Sequence, residues 1–375
     1  MKKVLIFTKY FKPGFKAGGP IKSIDNILKI YGNKYDITLI TGNSDIDNII
    51  YKNITLDETI NKKNYKIKYL SKKKINYYNL FKIIHSIDPD TLYLNSFFDY
   101  NFSIKIAILN KFYFKKKMII SPRGELYKNA LAIKKIKKKF FLFLSNFFQI
   151  YKGVIFQVNS IKEKKELSKI NFLRYLHSTV VPVLYPKLKE VKIDELSLNR
   201  KNFKILYVSR IVKNKNLDFC LKILKKLNLK VNFIIIGPIE DKKYWLMCKK
   251  KILDIKKKVK IDYLGYQKKD KINKIMKNSH CFFLPSMFES FGHVIFESFL
   301  NGLPVVTSKN TPWNKLKSKK IGADIDIVNE DIYVSELKNF ITCDEKNYRS
   351  IRVNALRYSK RIIDQNISYK KKNIF

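Results

Sequence analysis

The chain has 375 residues, of which 46% are hydrophobic, and this length suits two domains of about 150 to 200 residues each. Its 77 Lys and Arg residues outnumber 31 Asp and Glu residues, and the net charge of +46 favours anionic partners: phosphorylated substrates, anionic lipid or nucleic acid. Nucleic-acid binding is disfavoured because zinc-finger spacing, RNP-like aromatic strands and a helix-turn-helix signature are all missing from the sequence.

A strand is predicted at Lys3–Thr8, followed by a glycine-containing loop and a helix from about Pro20 to Tyr31. Gly18 and Gly19 let the backbone approach a ligand closely, as in loops that hold phosphate. The loop does not match G-x-G-x-x-G, so it is not a dinucleotide-binding fingerprint. For Gly18, a plain structural turn stays open beside a ligand-facing role.

Short apolar runs and helical patterns then alternate, which predicts a parallel sheet with helices on both faces. The predicted elements are residues 36–41, 65–70, 77–87, 91–95, 100–112 and 117–121. The last strand ends in the segment PRGEL, where Arg123 is a permanent cation suited to a phosphate or a sugar hydroxyl. A surface loop cation is the alternative interpretation of Arg123.

Residues 132–153 form a predicted helix that is basic at its start and aromatic afterwards. Two accounts of it stay open, contact with an anionic membrane surface and burial against the sheet. A codon-biased genome is a further explanation of the lysine excess. After the next strand, Ser160 and Glu163 have the spacing of a helix capping box.

A strand at 179–184 leads to a polar linker, and the strand-first pattern restarts at residue 203. We therefore predict a first Rossmann-like domain (1–186), a linker (187–201), a second Rossmann-like domain (202–345) and a basic helical tail (346–375). Arg210 and Lys215 follow the first strand of the second domain, before a helix at 216–227. Strands at 231–237 and 260–265 come next, the latter ending at Gly265.

The most informative stretch, Cys281–Trp313, reads as strand, loop, helix and strand. Its loop carries a carboxylate, Glu289. Its helix places His293, Glu297 and Asn301 at i, i+4 and i+8, as a polar stripe on an otherwise apolar cylinder. Open α/β sheets bind ligands where the strand ends and the helix begins, so both carboxylates are expected there.

Glu289 and Glu297 are separated by seven residues and enclose the pair Phe291 and Gly292. This pattern closely resembles the signature of the family-4 glycosyltransferases, which also contain the following Gly-Leu-Pro-Val-Val strand and a Thr-Pro-Trp segment. The resemblance implies that Glu289 contacts the donor sugar, that Glu297 holds the nucleotide ribose, and that the loop amides at Phe291 and Gly292 face the diphosphate.

The same resemblance implies that Arg210 and Lys215 meet the charge of the departing diphosphate, and that Gly265 lies at the strand end near the nucleobase. It also implies that Gly18 and Gly19 line the cleft, and that Arg123 projects into it. Two residues depart from the family pattern: Asn216 stands in place of a glycine, and Glu125 in place of a hydrophobic residue.

By resemblance, the fold is GT-B, two facing Rossmann-like domains with a cleft between them, and the tail crosses back to the first domain. The implied reaction is retaining, metal-independent transfer from a UDP- or GDP-linked sugar to a glycan or lipid-linked acceptor in surface polysaccharide synthesis, without a cofactor. Asp-x-Asp occurs at 45–47, 88–90 and 324–326 without the supporting context of a metal site. The alternatives are a sugar-nucleotide epimerase or hydrolase, and a non-catalytic module that binds anions or membrane surfaces.

The four cysteines are scattered in apolar surroundings without a C-x-x-C motif, which predicts reduced core thiols in a cytosolic protein. The first residues break their apolar run too early for a signal peptide, and the longest apolar segment, 140–150, is too short to span a bilayer. We therefore expect a cytoplasmic protein, either free in solution or peripheral on the inner face of the membrane.

Overall fold

The computed structural model describes residues 1–170, 177–186, 202–255, 259–371 and 374–375. The chain divides into two compact units. The first contains Met1–Lys187 together with Gln365–Phe375, and the second contains Leu188–Asp364. The predicted linker, 187–201, lies outside the described residues.

The first unit is built on an eight-stranded sheet, counted over the described residues, with the order β3-β4-β2-β1-β5-β6-β7-β8. Every pairing is parallel except that of β3 with β4. Its strands are β1 (Lys3–Thr8), β2 (Asp36–Gly42), β3 (Thr59–Lys62), β4 (Tyr65–Leu70), β5 (Thr91–Leu94), β6 (Lys117–Ile120), β7 (Ile155–Val158) and β8 (His177–Val180). β8 is shorter than the predicted strand at 179–184, and Pro182, which has no N–H, cannot donate to a continued ladder.

The helices of the first unit cover both faces of this sheet. They are α1 (Gly19–Tyr31), α2 (Tyr77–Ile87), α3 (Lys105–Leu109, with π-helical turns Tyr100–Ile104 and Asn110–Phe114 at its ends), α4 (Lys128–Ala132), α5 (Lys135–Phe147) and α6 (Ile161–Ser168). Side chains of α2, α3 and α5 share one apolar core with Leu5 and Phe7 of β1, whereas those of α1 share the other with Val4 and Ile6. Because successive strand residues point to opposite faces, α2, α3 and α5 lie on the face opposite α1.

Phe375 belongs to the core on the α1 side and is 1% exposed. Its ring meets those of Tyr31, Tyr35 and Tyr93 edge-on, with centroid separations of 5.9, 5.2 and 5.6 Å. Such edge-to-face contacts are favourable beyond the area they bury. The last residue of the sequence therefore stabilises the first unit.

Phe375→Ala is expected to lower the free energy of unfolding by about 3–5 kcal/mol, because it opens a cavity among three tyrosine rings. Urea denaturation followed by tyrosine fluorescence measures the change. Phe112→Ala is the matched control, since that ring is 55% exposed and its removal should cost less than about 0.5 kcal/mol. Equal stability of the two variants would contradict the packing described for Phe375.

The second unit has a six-stranded parallel sheet over the described residues, in the order β11-β10-β9-β12-β13-β14. The strands are β9 (Lys204–Val208), β10 (Val231–Ile236), β11 (Val259–Tyr263), β12 (Cys281–Leu284), β13 (Val305–Ser308) and β14 (Gly322–Ile325). The helices are α7 (Leu217–Leu227), α8 (Lys242–Ile255), α9 (Lys269–Lys277), α10 (His293–Leu300), α11 (Glu330–Thr342) and α12 (Glu345–Lys371). Residues of α12 as far as Asp364 group with this unit, which therefore extends beyond residue 345, where the sequence analysis ended the domain.

The predicted fold class, two parallel-sheet α/β domains, is confirmed. In the second sheet the chain moves outward from β9 to β11, then returns to the other side of β9 with β12. The loops that follow β9 and β12 therefore diverge to opposite sides, and open α/β sheets bind ligands at such a switch point. The first sheet has the same kind of switch point between β1 and β5.

Candidate active site

Polar residues gather at the switch point of the first unit. Asn95 follows β5, and its Nδ2 donates to Thr8 Oγ1 at 3.2 Å and to the carbonyl of Pro20 at 3.3 Å. Gly18 caps α1 at φ +63° and is exposed, and Gly19 is the first residue of that helix. The predicted glycine pair thus lies at the start of α1, and Asn95 ties that start to the end of β1.

Arg123 lies in the same cluster, held by side chains from neighbouring strands. Its Nε donates to Asn95 Oδ1 at 2.8 Å, Nη1 to Asn159 Oδ1 at 3.2 Å and Nη2 to Tyr93 Oη at 3.0 Å. These acceptors are neutral, so they orient the guanidinium without cancelling its charge. Among the residues that the structure describes, these three acceptors bind three of the five N–H groups of the guanidinium.

Two carboxylates, the buried Glu163 and the half-buried Glu125, fix the loop around Arg123. Glu163 accepts from the backbone N–H groups of Gly124 and Asn159, both at 2.7 Å, while Glu125 accepts from those of Phe97 and Phe98 at 2.6 and 2.9 Å. Burial raises the pKa of both carboxyls above the usual range. Glu125, which departs from the family pattern, therefore has a structural role in the first unit.

The predicted helix cap at Ser160 is present, since its Oγ accepts from the N–H of Glu163 at 3.1 Å. The carboxylate of Glu163 makes one contact that a capping box does not require. It also accepts a hydrogen bond from the N–H of Gly124, in the loop after β6. A pattern read along one helix could not reveal this second partner.

Each Asp-x-Asp sequence has hydrogen-bonding partners within the fold. Asp45 Oδ2 accepts from the N–H groups of Phe15 and Lys16, and thereby fixes the glycine-containing loop. Asp90 and Asp324 accept from one backbone N–H each. In the described part of the chain, no three His, Cys, Asp or Glu side chains are grouped so as to hold a metal ion.

In the second unit, Lys215 and Glu289 form an ion pair across the switch point. Lys215 follows β9 and Glu289 follows β12, and the lysine Nζ donates to Glu289 Oε1. The side chains are 14% and 10% exposed, so water screens this pair weakly. Ser286 Oγ donates to the same carboxylate oxygen at 2.9 Å. The structure thus brings together two predicted residues that are distant in sequence.

The loops that carry this pair are joined by three hydrogen bonds. Asn214 accepts from the N–H of Met287 at 2.8 Å and donates through Nδ2 to the carbonyl of Phe288 at 3.2 Å. Asn216 donates through Nδ2 to the carbonyl of Pro285 at 3.1 Å. We refer to these three contacts as the cross-loop bonds. They hold the cation and the carboxylate at a fixed separation.

Asn216 has φ +59°, which explains why glycine or asparagine suits the position after Lys215. The lysine's own carbonyl accepts from Tyr207 Oη at 3.3 Å. Burial raises the pKa of this tyrosine well above its usual range, so it stays neutral and able to donate. The departure from the family's glycine is therefore compatible with the local backbone.

Gly292 caps α10 at φ +76° and brings the start of that helix to the loop that holds Glu289. A Cβ there would lie 3.1 Å from Ile295 Cδ1 and 3.3 Å from Trp313 Nε1, so a larger residue would be both strained and crowded. The N-terminus of α10 carries a partial positive charge, which suits a phosphate.

Trp313 anchors the same loop. Its Nε1 donates to the carbonyl of Phe291 at 2.5 Å, and the two rings meet with centroids 5.1 Å apart. The Trp313 ring also stacks on Phe296 of α10. The ring of Phe291 therefore packs in an aromatic cluster, and this cluster positions the backbone at Phe291 and Gly292, whose amides are predicted to face the diphosphate.

The predicted polar stripe of α10 is correct only in part. Glu297 is half-buried on the helix, one turn after His293. Asn301 is 6% exposed and caps the C-terminus, where its Nδ2 donates to the carbonyl of Glu297 at 2.8 Å. Asn301 is a structural cap, because the helix ends one residue earlier than the stripe requires.

Arg210 forms an ion pair with Glu240, a residue that the sequence analysis did not identify, with Nη1 2.5 Å from Oε2. Both side chains are about one-third exposed, at 35%. The arginine is therefore oriented but still reachable by solvent. Its partner comes from the loop after β10, which no sequence pattern linked to β9.

Gly237 permits the close approach of β10 to Arg210. At φ +145°, its Cβ would lie 1.8 Å from the carbonyl oxygen of Ser209, so only glycine fits. Its N–H donates to the carbonyl of Gly265 at 2.8 Å. Gly265, predicted to approach the nucleobase, lies at the carboxyl end of β11 at φ +62°.

The second unit is similar to a known protein family. Residues 189–355 match the family model described as "Glycosyl transferases group 1". We refer to residues 189–355 as the group 1 region. It covers nearly all of the second unit and includes Arg210, Lys215, Gly265 and the whole Glu289 loop.

Two curated proteins are similar to this chain. An uncharacterized 41.2 kDa protein in the cps region of Klebsiella pneumoniae is 26% identical over 239 residues, covering 62% of this chain and 61% of that protein. The uncharacterized glycosyltransferase MJ1059 of Methanocaldococcus jannaschii is 26% identical over 251 residues, covering 62% and 58%. The chain thus spans about three fifths of the length of the curated relatives it matches.

Solved structures match the whole chain at low identity. Sucrose-phosphate synthase from Thermosynechococcus elongatus has a TM-score of 0.73, 13% identity and coverage of 98% of both chains. HepE of Anabaena in complex with UDP and glucose has a TM-score of 0.69, 17% identity and coverage of 98% and 99%. WaaG, a glycosyltransferase involved in lipopolysaccharide biosynthesis, has a TM-score of 0.66, 13% identity and coverage of 99% and 100%. At these identities the matches show the fold alone, two parallel-sheet α/β domains.

The group 1 region also contains residues whose contacts with the predicted site sequence reasoning missed. Asn214, Glu240 and Trp313 each fix a predicted residue or its loop. A Thr-Pro-Trp segment was recognised, but nothing in it indicated which carbonyl the indole would bind. The Asn and Glu side chains act across loops, so their partners emerge only from the folded sheet.

Proposed function

We propose that the protein is a glycosyltransferase that moves a sugar from a nucleotide-diphosphate donor to a glycan or lipid-linked acceptor, with retention of configuration and without a metal ion. The observation that carries the proposal is the Lys215–Glu289 pair at the β9/β12 switch point, beside the glycine-capped start of α10 and within the group 1 region. This arrangement offers a fixed cation, a carboxylate and helix N–H groups at one sheet edge.

Each element has a separate part in the proposed chemistry. The bond between the anomeric carbon and the diphosphate oxygen breaks, and Lys215 and Arg210 stabilise the negative charge that accumulates on the departing group. The acceptor hydroxyl oxygen bonds to the anomeric carbon from the face that the diphosphate leaves. Its proton passes to the departing phosphate oxygen, so no side chain forms a covalent intermediate.

Glu289 is proposed to accept hydrogen bonds from hydroxyl groups of the donor sugar. Its carboxylate can do so because Lys215 and Ser286 occupy only some of its lone pairs. Glu297 is proposed to bind the ribose diol, and the backbone at Phe291 and Gly292 to face the diphosphate. Gly265 is proposed to approach the base. In the first unit, we assign Arg123, Gly18 and Gly19 to the diphosphate and acceptor.

The structure of HepE with UDP and glucose supports a UDP-linked donor, and a GDP-linked donor is the alternative. WaaG, which is involved in lipopolysaccharide biosynthesis, and the cps-region relative support a role in surface polysaccharide assembly. These are other proteins, and they support the proposal through the shared fold and the group 1 region.

A thermal-shift series with UDP, GDP and ADP tests donor binding. One nucleotide should stabilise the protein by about 2.7 kcal/mol at a hundredfold excess over its Kd. Arg210→Ala should weaken this binding about tenfold or more, whereas Lys222→Ala, which removes an exposed cation paired with Glu330, should not. Equal stabilisation by any polyanion, with steep salt dependence, would indicate an anion-binding module instead.

Transfer assays in the presence of EDTA test the metal independence. Activity should persist, because Arg210 and Lys215 supply the positive charge that a divalent ion would otherwise provide. Loss of activity with chelator and its return with manganese would overturn that part of the proposal. Formation of free sugar or an epimer as the main product without acceptor would favour a hydrolase or epimerase.

A further inference from the structure

Helix α5 has two apolar faces, of which the sheet covers only one. Its inner face carries Leu142 and Ser145, both buried, and Phe141, whose ring meets those of Phe97 and Phe98. Its outer face carries Ile136, Phe140, Phe143 and Phe147, which are 85%, 62%, 53% and 71% exposed. We call these four residues the outer stripe.

The spacing of the outer stripe is 4, 3 and 4 residues, so its members lie within about 60° of one another around the helix. Single exposed apolar residues are ordinary, but a contiguous apolar surface of large side chains indicates an interaction site. The stripe is about 16 Å long at 1.5 Å per residue. Ile133, just before α5, and Phe148, just after it, are also exposed, at 58% and 52%, and the Phe148 ring contacts that of Phe147.

The charges around the stripe indicate what covers it. Lys137 and Lys139 lie on its two sides, and both are exposed. From residue 126 to residue 162 the sequence contains eight lysines and no Asp or Glu. Protein interfaces are depleted in lysine, whereas helices that lie on lipid combine an apolar face with flanking lysines.

We propose that the outer stripe and its flanking lysines dock the first unit onto an anionic lipid bilayer, with α5 parallel to the membrane plane. The four apolar side chains enter the boundary between headgroups and acyl chains, and the lysines contact lipid phosphates. No helix among the described residues is long and apolar enough to cross a bilayer. Because the lysines act through their charge, the attachment should weaken as the salt concentration rises.

Vesicle co-sedimentation of the full chain tests the proposal without any sugar donor, so its outcome is independent of the proposed transferase activity. Vesicles of phosphatidylcholine with 30% phosphatidylglycerol should bind the protein at least about tenfold more tightly than phosphatidylcholine alone. The lysine variant Lys135→Gln/Lys137→Gln/Lys139→Gln should lose about a hundredfold, at about fivefold per lysine.

The stripe variant Ile136→Ser/Phe140→Ser/Phe147→Ser should lose at least about tenfold in binding while melting like the native protein, because these side chains are exposed. The matched control is Leu246→Ser/Leu253→Ser on α8, a lysine-rich helix of the second unit with two exposed leucines, and it should bind normally.

Two results would overturn the proposal. Undiminished binding of the stripe variant would mean that net charge alone attracts the vesicles. A dimer in light scattering that dissociates in the stripe variant, together with no vesicle binding by the native protein, would assign the stripe to a second copy of the chain.

Discussion

Glu289→Gln is expected to lower kcat for sugar transfer by about 100- to 1,000-fold. The amide keeps the shape of the side chain but cannot carry the negative charge that pairs with Lys215. The NH2 group of the new amide donates a hydrogen bond at a position where the hydroxyls of the donor sugar need a hydrogen-bond acceptor. Interactions that strengthen in the transition state are therefore lost. Because Arg210, Lys215 and Glu297, the proposed nucleotide contacts, are unchanged in this variant, the nucleotide-induced thermal shift should be retained.

Steady-state transfer assays measure this effect, and Glu330→Gln is the control. Glu330 pairs with Lys222 and Lys226 in the same unit, so its replacement also removes one carboxylate from an ion pair. It belongs to no proposed contact, and kcat should stay within about twofold. A Glu289→Gln enzyme that transfers sugar at the native rate would exclude Glu289 from the reaction.

Gly237→Ala is expected to destabilise the protein by about 3 kcal/mol or more. The new Cβ would lie 1.8 Å from the Ser209 carbonyl oxygen, and backbone atoms on two neighbouring strands would have to separate. That separation would also displace Arg210, the residue after Ser209. Urea denaturation and the nucleotide-induced shift should therefore both be affected.

Gly265→Ala provides the comparison for Gly237. Gly265 also has positive φ, at +62°, but no heavy atom of the described residues outside its own chain neighbourhood lies within 4 Å of its added Cβ. Its replacement should cost only the backbone strain of about 1–2 kcal/mol. If both variants lost the same stability, the clash with Ser209 would not be the cause of the Gly237 effect.

The strands were predictable because parallel strands are buried on both faces and appear as continuous apolar runs. The run CFFL, for example, is wholly buried in β12. The loop from Ser286 to Gly292 was predictable because its glycine, carboxylate and following helix occur in one continuous segment. Interactions within such a segment leave a pattern in the sequence.

Contacts between segments left no such pattern. Glu240 pairs with Arg210 from 30 residues away, and Glu163 fixes the Arg123 loop from 39 residues beyond Gly124. The sequence likewise did not indicate Tyr93, Asn95 and Asn159, which accept the hydrogen bonds of Arg123. Such partners depend on strand order, and one sequence does not determine strand order by local pattern alone.

The cross-loop bonds have a consequence for any redesign of the proposed donor site. Asn214 and Asn216 belong to one loop and their partners to another, so a graft of either loop alone would leave amide and carbonyl groups without their counterparts. The two segments therefore constitute a single exchangeable cassette. Chimeras between relatives should transplant them together, along with the lysine and glutamate they carry.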